Sequence, residues 1–155
     1  MSKARGSTQR IVNKRAAFEY HLFDRVEAGI ELKGTEVKSL RAGQVSLAEA
    51  YARIRDDQAE LVGCQIEPYS HATVFNHDPK RARRLLLHRR EIHRLYGKVK
   101  EQGFTLVPLS IYFNDHGRAK VELALAKGKT HRDKRADLRA KDDRREMDRA
   151  RRTRG

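Results

Sequence analysis

Thr105-Leu106-Val107-Pro108-Leu109-Ser110-Ile111-Tyr112-Phe113, Asn114-Asp115-His116-Gly117 and Lys120-Val121-Glu122-Leu123-Ala124-Leu125-Ala126 decide the fold. Two apolar, β-prone runs flank a tetrad of turn-forming residues, so 105–113 and 120–126 read as a hairpin. Just upstream, Gly103 closes a segment in which Ile92, Leu95, Tyr96 and Val99 recur at helical spacing, which predicts a helix over 89–102. Leu85-Leu86-Leu87 leads into that helix. Asp56-Asp57-Gln58 joins two further strands, 47–55 and 60–66. Residues 34–40 read as a short helix capped by Thr35, with Val37, Leu40 and Ala42 on the buried side. The stretches 18–23 and 26–32 read as strands paired around Glu27-Ala28-Gly29. Several antiparallel strands with few helices make the fold class mostly β with flanking helices. An OB-type closed antiparallel barrel suits a body of about 110 residues and recurs in RNA binders.

The charge is unevenly spread. The chain has 155 residues, enough for one domain, and carries 35 Lys and Arg against 21 Asp and Glu, a formal net charge of +14. Residues 1–15 hold five basic residues and no acid, 16–126 hold 17 and 15, and 127–155 hold 13 and six. A near-neutral body between two cationic arms is the pattern of a folded module with nucleic-acid-seeking extensions. All five Phe and all five Tyr fall within 13–126. The expected organisation is therefore a flexible basic arm over 1–12, an RNA-binding domain over 13–126 and a basic C-terminal tail over 127–155. Leu138 and Met147 are the tail's only large apolar side chains, too few to offset the entropy of ordering, so the free tail is expected to be disordered. Its composition still favours helix, as in a segment that folds on contact with a partner.

Cys64 is alone, which excludes an intramolecular disulfide, and its apolar neighbours Leu61, Val62 and Ile66 predict a buried thiol. No run approaches the roughly 20 apolar residues of a membrane span. Residues 1–15 lack the apolar centre of a secretory signal, so the expected location is cytoplasmic.

Three segments carry candidate chemistry. Lys80-Arg81-Ala82-Arg83-Arg84-Leu85-Leu86-Leu87, followed by Arg89 and Arg90, reads as a phosphate-binding edge next to an apolar anchor. Gly34-Thr35-Glu36-Val37-Lys38-Ser39-Leu40-Arg41-Ala42-Gly43 holds a short helix that faces phosphate or plugs the barrel; it lacks the spacing of a nucleotide-binding loop. Ala126-Lys127-Gly128-Lys129-Thr130-His131-Arg132-Asp133-Lys134-Arg135 projects cations from the end of the last strand. The seven His show no metal-ligand spacing, and the Asp pairs sit in turns or the tail, so no metal, cofactor or catalytic residue is expected.

Taken together, several segments resemble the SsrA-binding protein family, small protein B. They are Asn13-Lys14-Arg15-Ala16, Glu27-Ala28-Gly29-Ile30, Gly34-Thr35-Glu36-Val37-Lys38-Ser39-Leu40-Arg41, Ala50-Tyr51, Pro68-Tyr69, Arg83-Arg84-Leu85-Leu86-Leu87-His88, Glu91-Ile92, Leu95-Tyr96-Gly97, Thr105-Leu106-Val107-Pro108-Leu109, Ala126-Lys127-Gly128-Lys129 and Asp133-Lys134-Arg135. The resemblance implies an OB-fold adaptor that binds the tRNA-like domain of transfer-messenger RNA and delivers it to stalled ribosomes for trans-translation, as a monomer on the RNA. It implies RNA contacts at Glu27, Leu86 and Lys120. Lys38 and Arg41 belong to the diagnostic motif; Arg83, Arg84, Lys127 and Lys129 complete the expected RNA-binding set. Arg132, Asp133, Lys134 and Arg135 would meet the decoding centre of the small subunit, with the tail helical in the mRNA channel. Thr130 stands where many relatives have a second lysine, and either Arg132 or His131 takes the stacking place before Asp-Lys-Arg. The rival readings are a generic single-strand-binding OB protein, which would want a repeated aromatic platform, and a metal-dependent nuclease, which would want converging carboxylates.

Overall fold

The computed structural model describes residues 10–70 and 76–154. Most of the arm expected over 1–12 lies outside them, as does His71. Strand β1 (Ile11–Val12) falls within that range and pairs with the later hairpin.

Helix α1 (Ala16–Glu19) leads into β2 (Tyr20–Ile30), one strand where two were expected. Phe18 belongs to the helix, and the break between the two predicted strands is a bulge between Leu22 and Arg25. Glu27-Ala28-Gly29 does not turn. Gly29 instead permits close strand approach, because a Cβ there would lie 3.2 Å from the Leu86 Cβ. Helix α2 (Gly34–Arg41) follows, then β3 (Val45–Ser46), β4 (Tyr51–Arg55), β5 (Gln58–Val62) and β6 (Gln65–Ile66). β4 and β5 close a two-residue hairpin in which Asp56 and Asp57 both take positive φ, 52° and 60°, the twist-matched turn. β3 and β6 pair with each other as a separate ribbon, which trims both predicted strands.

β7 (Arg83–Leu86) precedes α3 (Arg89–Gln102). That helix has the predicted bounds, and Gly103 ends it at φ 71° with its N–H donated to the Lys98 carbonyl. Ile92 and Leu95 are buried, whereas Tyr96 is exposed. β8 (Thr105–Phe113) and β9 (Ala119–Gly128) form the predicted hairpin from Phe113↔Ala119 to Thr105↔Ala126. Its register slips between Pro108 and Ser110, where proline has no ladder N–H to give.

The antiparallel sheet runs β1-β8-β4-β5-β7-β2-β9, and β9 also pairs with β8. Leu61, Ile66, Leu85, Leu95, Leu106, Ile111, Leu123 and Leu125 fill the space these strands surround. The last element is α4 (His131–Arg154), whose side chains are exposed from Leu138 to Arg152.

Candidate nucleic-acid interface

The ends of β2, β7 and β9 and the start of α3 enclose an open cleft of about 740 Å³. Glu27, Arg84, Leu86 and Lys120 all line it, so four residues spread over the sequence meet at one place. Alternation explains the geometry: along β7 Arg83 and Leu85 point inward while Arg84 and Leu86 point out. Leu86 is 47% exposed and gives the cleft an apolar wall. Gly29↔Lys120 and Gly29↔Leu86 are both register pairs, which brings the lysine and the leucine to either side of one glycine.

The Glu27 carboxylate accepts the Tyr112 hydroxyl. Burial, and next that bond, push the phenol up to about 12, so it remains a donor throughout the neutral range. Arg10 lies 4.0 Å over the Tyr112 ring and also reaches Ser110 and Glu122. Tyr112 and Arg10 were missed by sequence reasoning; the register pair Tyr112↔Lys120 was the signal, since it sets the tyrosine beside an expected RNA contact. Phe113 and Arg118 also line the cleft.

Arg83 is not part of this surface. Its side chain is fully buried and donates to Glu36 Oε2 (2.5 Å), the Cys64 carbonyl (2.7 Å) and the Pro79 carbonyl (3.1 Å). A guanidinium so enclosed cannot reach a phosphate, so the expectation of RNA binding there is corrected: Arg83 is an internal strut. Glu36 is fully buried too, and Arg81 grips its other oxygen at 2.5 Å. Burial would raise the Glu36 carboxyl, but the bonds from Arg81, the Lys33 N–H and Arg83 outweigh it and hold the group below its ordinary value. The Lys33 N–H bond to Glu36 (2.8 Å) also caps α2. Thr35 does not cap. Its hydroxyl donates instead to buried His77 Nδ1 (2.8 Å), the acceptor nitrogen, because His77 Nε2–H donates to the Ile66 carbonyl (2.9 Å). Of the predicted buried side, Leu40 is buried, Val37 faces the cleft and Ala42 is exposed. Burial also lifts the Cys64 thiol to about 11, so it is a structural thiol.

Lys38 and Arg41 are exposed on α2, outside the cleft lining. Lys38 lies 5.2 Å from the Tyr69 ring; Arg41 lies 4.6 Å over Phe113, whose ring does line the cleft. Lys127 is at the far end of β9, 4.6 Å over the Phe104 ring. Lys129 is corrected as a free RNA contact: its side chain is only 9% exposed, and its ammonium holds Asp137 and the Ala17 carbonyl. It fastens α4 to α1. At the root of α4, the Thr130 hydroxyl accepts the Asp133 N–H and the Asp133 carboxylate accepts the Thr130 N–H, a reciprocal cap. His21 donates to the same carboxylate at 3.1 Å, and this bond, with those from Thr130, lowers the Asp133 carboxyl. Lys134 lies 5.6 Å from the Phe18 ring; Arg132 and Arg135 are exposed.

The profile of the family described as SmpB protein matches residues 10–153. The chain belongs to the SmpB family. It is 54% identical to the SsrA-binding protein of Symbiobacterium thermophilum over 151 residues, 97% of this chain and 96% of that one. It is 55% identical to the SsrA-binding protein of Sphingomonas elodea over 143 residues, 92% of this chain and 89% of that one. A solved structure described as "tmRNA-SmpB: a journey to the center of the bacterial ribosome" matches with a TM-score of 0.68 and 48% identity, over 84% of this chain and 94% of that one. Among the described residues of this SmpB-family chain, no group of His, Cys, Asp and Glu gathers as a metal set. Nor is any described helix long and apolar enough to cross a membrane.

Proposed function

We propose that this SmpB-family chain binds the tRNA-like domain of transfer-messenger RNA in the cleft and carries that RNA to stalled ribosomes for trans-translation. It acts in the cytoplasm as an adaptor, a monomer on the RNA, and leaves peptide transfer to the ribosome. The observation that carries the reading is the meeting of Glu27, Arg84, Leu86 and Lys120 around one open cleft. Arg84 and Lys120 offer cations to phosphate, Leu86 an apolar contact to a base or sugar, and Glu27 an acceptor for a base amino group. A carboxylate there suits selective recognition rather than bulk charge attraction. The return of the strand pairing from β9 to β8 supports an OB-type closed barrel as the scaffold. The basic tail, with Arg132, Asp133, Lys134 and Arg135 at its root, is the part that would enter the decoding centre and mRNA channel. Free in solution, its outer turns exchange with coil, because they bury nothing.

Titration of the protein with transcribed transfer-messenger RNA, against a tRNA of equal length to its tRNA-like domain, tests the reading. Preferential binding of the former, weakened by Arg84→Ala and Lys120→Ala, is expected. Equal affinity for both RNAs would reduce the protein to a generic RNA binder.

A further inference from the structure

We propose that Tyr112 is a positioning residue of the cleft: its hydroxyl holds the Glu27 carboxylate away from Lys120, so that acid and lysine both stay available to RNA. The inference rests on the reading of the cleft as the RNA site proposed above.

Strand register decides where these groups lie. β9 runs between β2 and β8 and pairs with both. On one side of β9, Glu27 pairs with Glu122 and Gly29 with Lys120; on the other, Ser110 pairs with Glu122 and Tyr112 with Lys120. Val26 and Ala28 pack on the core, as do Ile111 and Phe113, so Glu27 and Tyr112 between them project outward. Lys120 is therefore diagonal to Glu27, a spacing that long side chains of opposite charge bridge. Such a pair would neutralise two of the four residues that meet at the cleft. It does not form: among the described residues, neither Glu27 nor Lys120 has an ion-pair partner.

What holds the carboxylate instead is the Tyr112 hydroxyl, which reaches across β9 from β8 to β2. A phenol suits the task. It donates one bond and carries no charge, so Glu27 keeps its own charge and its second oxygen. Arg10 pins the ring from above, 4.0 Å from its centroid, and also reaches Ser110. Arg10 and Arg25 are both engaged by Glu122, at 3.4 Å each, and leave Glu27 to the tyrosine. Burial and then the bond to Glu27 raise the phenol to about 12, so it stays a donor at any pH where RNA survives.

Three full-length variants test this: Tyr112→Phe, Glu27→Gln and the two combined, each titrated with transcribed transfer-messenger RNA over a range of salt. Phenylalanine keeps the ring under Arg10, so the thermal midpoint should move by no more than a few degrees. Tyr112→Phe should bind about tenfold more weakly, with a salt dependence shallower by about one counterion, because Lys120 turns to Glu27. Adding Glu27→Gln removes the competing carboxylate. The double variant should therefore bind more tightly than Tyr112→Phe alone, regain the salt slope and match Glu27→Gln. A hydroxyl that touched RNA directly, or only supported the fold, would give a loss that the second substitution deepens, and that result would overturn the inference. Arg84→Ala, measured alongside, separates the two levels of the argument. If it weakens binding and Tyr112→Phe does not, the cleft stands and the role of Tyr112 falls. If neither weakens binding, the cleft reading falls and takes this one with it.

Discussion

Glu36 and Arg83 form a buried ion pair whose value lies in keeping both partners. Each is fully enclosed, and the carboxylate ties the start of α2 to β7. Removing one charge strands the other, at a cost of about 3–5 kcal/mol. Glu36→Gln should therefore lower the chemical-denaturation midpoint sharply, whereas Arg84→Ala next door should leave it nearly unchanged. The same pair sets an acid limit. Because the folded carboxyl lies below its ordinary value of 4.5, its stabilisation is complete above that value and is lost as the pH falls through the lower folded value. Acid unfolding in Glu36→Gln should lack this component. At the cleft, Tyr112 behaves in the opposite sense: a raised phenol favours the fold below its ordinary value of 10, and that contribution is lost as the pH rises towards about 12. Glu27→Gln should bring the phenol's ultraviolet titration down towards 10 and weaken RNA binding, with thermal stability held within a few degrees. Tighter RNA binding by this variant would mean that Glu27 only repels phosphate.

Much of the element layout was legible because period and punctuation agreed. The 89–102 helix has a clean apolar stripe and a left-handed glycine at its end, and the 105–128 hairpin has apolar, β-prone runs on both sides of a turn tetrad. Misreadings came where one residue type serves two purposes. Gly29 suggested a turn and is instead a close-approach point; Arg83 and Arg84 look alike in sequence but occupy opposite faces of β7. Strand parity was the available clue, since Arg83 shares a face with core Leu85 and Arg84 with exposed Leu86. Thr130 gains a reason at this scale, as the residue that caps α4. Thr130→Ala should cost that helix about 1 kcal/mol and reduce the helical circular dichroism of the full chain. RNA affinity should stay within about twofold, because α4 does not line the cleft. An unchanged helical signal would mean that Lys129 with Asp137, rather than the cap, fixes the root.

For the whole molecule, the decisive feature is how charge is divided between body and tail. Several of the body's cations are engaged internally: Arg81 and Arg83 by Glu36, Arg53 by Glu60, Arg94 by Asp24. Those left for RNA at the cleft are few, so the double variant Arg84→Ala, Lys120→Ala should flatten the salt dependence of binding by roughly two counterions. The tail is the reverse, with side chains exposed from Leu138 to Arg152. At its root it is attached through Lys129, Asp133 and Lys134 against α1 and the start of β2. A segment joined in this way contributes nothing to the cleft and little to the body's stability, yet it holds 13 of the chain's 35 basic residues in 127–155. Binding and delivery should therefore be separable in one protein. Truncation after Lys129 should leave the affinity for transfer-messenger RNA within a few-fold and abolish tagging of nascent chains on stalled ribosomes. A binding titration and an in vitro tagging assay on the same truncated chain measure both. Loss of RNA affinity would put the main contact in the tail, and intact tagging would leave the tail without a part in delivery.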